Sequence, residues 1–230
     1  MEYLYPNLTL EIPPGCFPLS TDSMVLGDFV RLPGNARVLD LGAGCGTLGL
    51  MLCGKDGRCH VTGVELDSAA HAAAEENIVR NRLQGRMESI CCDLRALSQR
   101  LTPGSFSVCV SNPPYFSGGL PSASIPVARQ DLCCSTDDLC QAASRMLKYG
   151  GDFFVVQKPE NLAHLIACAS AAGMEAKRLL LLRHRSDKPV SLIALQLRKG
   201  GKPGLVMEEA ALFHNDGTPT SYYRHVYHMD

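Results

Sequence analysis

Short apolar runs of strand length alternate with helix-length segments through most of this chain of 230 residues. Residues 36–42 (ARVLDLG) and 59–66 (CHVTGVEL) have the apolar character of buried strands. Helical segments follow each of them, at 46–55 and at 68–82. Strands that alternate with helices predict an open, mostly parallel sheet covered on both faces, the α/β class.

The remaining segments continue this alternation of strands and helices and indicate how the last two strands are connected. Strands are predicted within 86–94, 105–112 and 150–157, with a helix at 136–148. Two further runs, AKRLLLLRHR and KPVSLIALQLRKG, follow each other without a helix of suitable length. They should pair as an antiparallel hairpin at one edge of the sheet. We therefore expect a single domain over 1–230, with an N-terminal extension (1–35), a core (36–200) and a C-terminal tail (201–230).

Composition narrows the class of protein. Apolar residues make up 46% and charged residues 20%, which suits a folded chain with a sizeable core. No run approaches the length of a membrane span, and the N-terminus lacks a signal-peptide core. The eleven cysteines contain no Cys-x-x-Cys pair. We expect a cytoplasmic protein with reduced thiols, no metal site and no membrane partner.

The charge is unevenly distributed, although its net value is only −1. Residues 177–202 hold eight lysines and arginines and one acid, Asp187, a net +7. A basic segment on an otherwise acidic chain favours contact with a nucleic acid, while a solvated face is the plainer interpretation. Arg129 and Lys158, expected near the carboxyl edge of the sheet, are further candidates for phosphate contacts.

A glycine-rich turn follows the first strand, in Asp40-Leu41-Gly42-Ala43-Gly44-Cys45-Gly46. Glycines there allow a sharp turn and let a ligand lie directly on the backbone. The spacing differs from the dinucleotide pattern G-x-G-x-x-G, because Gly46 comes one residue too early. Asp40, Gly42, Gly44 and Gly46 are therefore candidates for binding a cofactor of another kind.

Acidic residues end the next two strands. Glu65, followed by Leu66, can accept hydrogen bonds from both hydroxyls of a ribose. Asp93, followed by Leu94, can accept from an adenine amino group, although a helix cap would also explain it. Ligands of open α/β sheets bind at the carboxyl ends of the strands, where these acids should meet the glycine turn.

These motifs resemble the class I S-adenosylmethionine-dependent methyltransferases, through VLDLGAGCG and Glu65 in GVELD. The resemblance covers residues 20–200. It implies a Rossmann-like, seven-stranded sheet in the order 3-2-1-4-5-7-6 with one antiparallel strand. It also implies S-adenosylmethionine as the methyl donor.

The most specific motif is Asn112-Pro113-Pro114-Tyr115, directly after the fourth strand. A strand-ending turn explains the prolines but neither the asparagine nor the tyrosine. The Asn112 amide oxygen and the Pro113 carbonyl can accept hydrogen bonds from an exocyclic or amide NH₂ group. They would orient its lone pair towards a methyl group, while Tyr115 stacks on a planar base. We interpret these four residues as catalytic, with Asn112 also beside the cofactor.

Asn-Pro-Pro-Tyr occurs in adenine-N6, protein-glutamine and some rRNA guanine-N2 methyltransferases. The phrase PLSTDSMVLGDFV, Ala128-Arg129 and the basic segment look like the family that methylates N6 of the adenine beside the anticodon of a valine tRNA. The chain departs from that family at Gln130-Asp131, where His-Glu is expected. It departs again in its tail, TSYYRHVYHMD.

Three functions are therefore in competition. The first is adenine-N6 methylation of tRNA; the second is N-methylation of a protein glutamine or a small molecule; the third is a non-catalytic RNA-binding module. The tail, with His214, His225, His228 and its tyrosines, could stack on RNA bases, but its composition slightly favours a poorly ordered end. Oligomeric state is not readable from the sequence.

Overall fold

The computed structural model describes residues 2–5, 7–113 and 134–229. Pro114, Tyr115 and the segment with Ala128 and Arg129 lie outside these ranges, so their predicted roles stay predictions. None of the described helices is long and apolar enough to cross a membrane.

Ten strands and six α-helices form within the described residues. The strands are β1 (Glu2–Tyr5), β2 (Leu8–Leu10), β3 (Arg37–Leu41), β4 (His60–Glu65), β5 (Met87–Cys91), β6 (Phe106–Ser111), β7 (Leu147–Gln157), β8 (Met174–Arg185), β9 (Val190–Lys199) and β10 (Val206–Phe213). The helices are α1 (Thr21–Phe29), α2 (Thr47–Lys55), α3 (Ser68–Arg80), α4 (Thr136–Met146), α5 (Leu162–Ala171) and α6 (Ser221–Val226). A short 3₁₀ turn spans Leu94–Gln99.

Eight of the described strands form one sheet, in the order β5-β4-β3-β6-β7-β9-β8-β10. If β3 to β9 are renumbered 1 to 7 in chain order, the seven strands from β5 to β8 have the order 3-2-1-4-5-7-6. β9 is antiparallel to both β7 and β8, and the other pairs are parallel. The predicted α/β class with a mostly parallel sheet is confirmed. The predicted count of seven strands is wrong, because β10 adds an eighth beside β8.

The sheet is buried on both faces, which explains why its strands read as continuous apolar runs. One core cluster holds Val38, Val110, Phe154 and Leu182 with side chains of α1, α2 and α3. The other holds the alternating positions, such as Leu39 and Phe153, with α4 and α5. Helices on both faces leave the two ends of the strands as the places where polar groups can converge.

The C-terminal residues do not form the poorly ordered tail that their composition suggested. β10 pairs with β8 in register from Val206↔Arg178 to Phe213↔Arg185. Thr220 then caps α6, whose Val226 is 1% exposed. The charge pair between Arg178 and Glu208 supports this docking at a distance of 3.2 Å.

The parallel strands define two edges of the sheet. At the carboxyl edge β3, β4, β5 and β6 end, and so do β8 and β10, because they run in the same direction. The β8–β9 turn lies at this edge too. The opposite, amino edge carries the starts of these strands, including His60, Tyr149 and Lys177.

Candidate active site

The glycine turn between β3 and α2 has the backbone that its sequence requires. Gly42, Gly44 and Gly46 have φ of 76°, 56° and 87°, in the left-handed region that favours glycine. A Cβ at Gly42 or at Gly44 would meet no atom within 4 Å, so space lies open above the turn. A ligand can therefore approach this backbone directly.

Asp40 lies under this turn and is fully buried. Neither of its carboxyl oxygens has a hydrogen-bond partner among the described residues. Burial, with the nearby charge of Glu65, raises the pKa of Asp40 to about 7. The Gly49 amide acts in the opposite direction and lowers the pKa, although it forms no hydrogen bond to either oxygen. A buried carboxyl without a partner is costly, and such groups cluster at functional sites.

Glu65 ends β4 and holds the turn from the side. One of its carboxylate oxygens accepts a hydrogen bond from the Gly44 amide at 2.8 Å. The other accepts from the amides of Leu66 and Asp67, both at 2.8 Å. Glu65 is thus fixed beside the open space above Gly44. Its predicted role of binding a ribose there stays a prediction. Leu66 is 40% exposed next to Glu65.

Asp93 caps the 3₁₀ turn Leu94–Gln99, as in the alternative interpretation that the sequence left open. Its side chain accepts from the Arg95 amide at 2.8 Å and so begins the 3₁₀ turn at Leu94. Its carboxylate also pairs with the Arg95 guanidinium, whose hydrogen bonds hold the pKa of Asp93 below its usual value. Binding an adenine amino group through Asp93 stays a prediction, as does contact with the partly buried Leu94.

Asn112 follows β6 and is held by an element that the sequence interpretation did not connect with it. Its side-chain amide nitrogen donates to the Ser23 hydroxyl of α1 at 2.9 Å. Ser111, just before it, donates to the Leu41 carbonyl at 2.7 Å and so ties β6 to the glycine turn. With its nitrogen engaged, Asn112 keeps its oxygen as the acceptor of the amide, and no donor to it lies among the described residues. Pro113 follows, partly buried.

Asn77 is a second residue that the sequence analysis missed. It is 1% exposed, although it lies within α3. Its amide donates to the Cys45 carbonyl at 3.0 Å and to the Glu11 carbonyl at 2.8 Å. Asn77 therefore holds the glycine turn from below and fastens the N-terminal segment over it. An asparagine inside a helix, where it is a poor helix former, was the available signal.

The basic segment 177–202 is divided between the two edges of the sheet. Arg183, Arg185 and Lys188 lie around the β8–β9 turn at the carboxyl edge, and the other five lie towards the amino edge. Three acids from outside the segment reduce the +7 to +4: Glu208 and Glu209 of β10 pair with Arg178 and Arg183, and Asp152 pairs with Arg198. Asp187, already counted in the +7, pairs with Arg185. The segment is thus a smaller cationic surface than its sequence suggests.

Among the described residues, no group of three or more His, Cys, Asp or Glu side chains could hold a metal ion. The predicted absence of a metal site stays a prediction, because the described ranges leave out residues 114–133. Six of the cysteines in the described ranges are buried thiols.

Comparison with known proteins assigns this site to a family. The family model of the methyltransferase small domain matches residues 21–167, which include the glycine turn, Glu65 and Asn112. The chain belongs to the methyltransferase small domain family. It is a methyltransferase, as the motifs predicted.

Relatives with assigned activities are similar over most of this methyltransferase. The tRNA1(Val) (adenine(37)-N6)-methyltransferase of Dickeya chrysanthemi strain Ech1591 is 34% identical, over 80% of this chain and 74% of its own. The enzyme of the same name from Bacteroides fragilis strain YCH46 is 33% identical, over 74% of this chain and 73% of its own.

Solved structures agree on the fold. A predicted O-methyltransferase from Agrobacterium tumefaciens superposes with a TM-score of 0.74 at 20% identity, over 90% of this chain and 96% of its own. The geranyl diphosphate C-methyltransferase of Streptomyces coelicolor A3(2) gives a TM-score of 0.57 at 14% identity, over 77% of this chain and 79% of its own. At these identities the likeness shows the fold alone.

Proposed function

We propose that this methyltransferase transfers a methyl group from S-adenosylmethionine to N6 of an adenine in tRNA, at position 37 beside the anticodon. The observation that carries the proposal is the Asn112 amide, fixed by Ser23 at the end of β6 with its oxygen available. The names of the relatives, tRNA1(Val) (adenine(37)-N6)-methyltransferases, support adenine and tRNA as the substrate. Because that substrate is a tRNA, the proposal includes the cytoplasm as the place of action.

The residues around the glycine turn fit S-adenosylmethionine. Gly42 and Gly44 leave open space above the backbone, and Glu65 stands beside it with a carboxylate that can accept from ribose hydroxyls. Asp40 supplies a buried carboxyl without a partner, which suits a ligand that carries positive charge. When bound, S-adenosylmethionine supplies an electrophilic methyl group.

The protein's own part in the reaction is alignment. The exocyclic nitrogen of adenine is a weak nucleophile, since its lone pair is delocalised into the ring. The Asn112 oxygen and the Pro113 carbonyl would accept its two N–H bonds and turn the lone pair towards the donor. Both acceptors gain strength as positive charge develops on the nitrogen, so they stabilise the transition state more than the bound substrate.

The test is a reconstituted reaction. Purified protein, S-adenosylmethionine and unmodified valine tRNA should yield N6-methyladenosine, detected by mass spectrometry of the digested nucleosides. Digestion to oligonucleotides should place the methyl group at position 37. A product on a protein glutamine or on a guanine, with unmodified adenine, would refute the proposal.

Replacing Glu65 with alanine should weaken S-adenosylmethionine binding by roughly 1.5–3 kcal/mol, the range for hydrogen bonds to a charged group. The variant loses the ribose acceptor and also frees the Gly44 amide that Glu65 holds. Calorimetric titration measures the change. Glu75→Ala, an exposed glutamate on α3, is the matched control and should bind like the wild type. Equal affinity in both variants would remove Glu65 from the site.

Replacing Arg183, Arg185 and Lys188 together with alanine should weaken tRNA binding. For a single-stranded loop each lost phosphate contact lowers the log–log salt slope by about 0.7, so the slope should become shallower by up to roughly 2. S-adenosylmethionine affinity should not change. The control triple, at the amino edge, replaces Lys148, Lys177 and Lys202 with the same loss of charge. Equal effects of the two triples would show that only net charge matters and not the carboxyl edge.

A further inference from the structure

Four aromatic rings form a row at the carboxyl edge. They belong to His184 of β8, Phe213 of β10, and Tyr223 and Tyr227, of which Tyr223 lies in α6 and Tyr227 directly follows it. Ring centroids are 5.2 Å apart for His184 and Phe213, 4.9 Å for Phe213 and Tyr223, and 4.3 Å for Tyr223 and Tyr227. The last pair is stacked, with an interplanar angle of 22°. We call these four side chains the aromatic row.

The inner end of the aromatic row is connected to the proposed catalytic residue. The Tyr227 hydroxyl shares a hydrogen bond of 2.8 Å with the Thr21 hydroxyl, at the first residue of α1. Two residues further along, Ser23 accepts from Asn112. The row therefore starts at the helix turn that holds Asn112 and runs away from it along the carboxyl edge.

The outer end reaches the β8–β9 turn, where His184 is exposed. The other three rings are partly exposed, packed on one side against the core. Burial of apolar area explains that packing, but it does not explain an exposed imidazole that extends the row. Exposed aromatic rings are surfaces on which unpaired nucleobases stack.

We propose that the aromatic row binds unpaired bases of the substrate RNA that neighbour the methylated adenine; this rests on the proposed function. An adenine drawn out of a loop leaves its neighbours without a stacking partner. The aromatic row supplies a replacement π surface that begins at the site. Stacking tolerates any base, so the row would hold the loop without reading its sequence.

The test uses an RNA stem–loop with 2-aminopurine next to the target adenine, because stacking quenches the fluorescence of this base. Wild-type protein should quench it on binding. The variant His184→Ala/Tyr223→Leu, which keeps apolar volume at Tyr223, should lose most of the quenching and bind roughly tenfold more weakly. His184→Ala alone, at an exposed position that the fold does not need, should show part of the same loss.

The matched control is His60→Ala/Tyr149→Leu, the same two substitutions at exposed positions of the amino edge. It should quench and bind like the wild type. If the wild type methylates tRNA but does not quench, or if both double variants behave alike, the aromatic row has no role and the proposed function still stands. If the wild type methylates no RNA at all, the proposed function fails and this inference fails with it.

Discussion

Replacing Asn112 with alanine should lower kcat by roughly 10²–10³-fold and leave tRNA affinity almost unchanged. Removal of one preorganised hydrogen-bonding group at a site of developing charge has an effect of this order in other enzymes. The loss should appear in kcat and in kcat/KM alike, because the acceptor acts mainly in the transition state. Single-turnover methylation assays, with enzyme in excess over tRNA, would measure the chemical step, and steady-state assays would give kcat and kcat/KM.

Ser23 provides the control for this experiment. Its hydroxyl holds the Asn112 nitrogen at 2.9 Å. Without it, in Ser23→Ala, the Asn112 amide can flip, so that its NH₂ group instead of its oxygen faces the substrate. We expect an intermediate loss of kcat, with Ser23→Thr restoring part of it. Ser105→Ala, which removes a hydroxyl at the opposite end of β6 that donates only to the Thr102 carbonyl, should keep nearly full activity. An Asn112→Ala enzyme with normal turnover would contradict the proposed mechanism.

Replacing Asp40 with asparagine should stabilise the ligand-free protein above neutral pH. The pKa of Asp40 is about 7 in the folded state and 3.8 in the unfolded state, so the folded state binds the proton more tightly. Its contribution to stability is complete below about pH 4 and is lost as the pH rises through about 7. Each pKa unit corresponds to about 1.4 kcal/mol, so the full loss is roughly 4 kcal/mol.

Urea unfolding of both proteins at about pH 5 and about pH 8 would measure this difference. The free energy of unfolding of Asp40→Asn, relative to that of the wild type, should increase by roughly 3 kcal/mol from about pH 5 to about pH 8. Asp93→Asn is the contrasting variant: the pKa of Asp93 is lowered, so this carboxyl stays ionised in both states across that interval. Its effect on stability should be the same at both pH values. A constant advantage for Asp40→Asn would mean that Asp40 is already ionised in the folded protein.

The sequence predicted those parts of the fold that depend on local pattern. Alternating apolar runs predicted the parallel sheet, and the glycines after β3 predicted a sharp turn, in which Gly42, Gly44 and Gly46 have positive φ. Glu65 was placed correctly at the end of β4, because the ends of parallel strands meet at one edge. Its hydrogen bond to Gly44 follows from that same geometry.

The parts that were missed depend on contacts between distant residues. The position of β10 beside β8 is supported by Glu208 and Glu209 facing arginines about 30 residues earlier, a pairing that no local pattern shows. The same pairing explains why the +7 of the basic segment overstated its free charge. Ser23 and Asn112 are 89 residues apart, and no periodicity links them. Asp93 had two interpretations from the sequence, and the structure favours its capping role.

The hydrogen bond between Thr21 and Tyr227 joins residues 206 positions apart in the chain. Contacts of such separation carry a large loop-closure entropy, so they form after local structure in folding. During synthesis, α1 leaves the ribosome long before Tyr227 has been translated. A nascent chain that ends before α6 therefore carries all the predicted cofactor-binding residues but lacks the hydrogen bond that anchors the start of α1, the helix that holds Asn112.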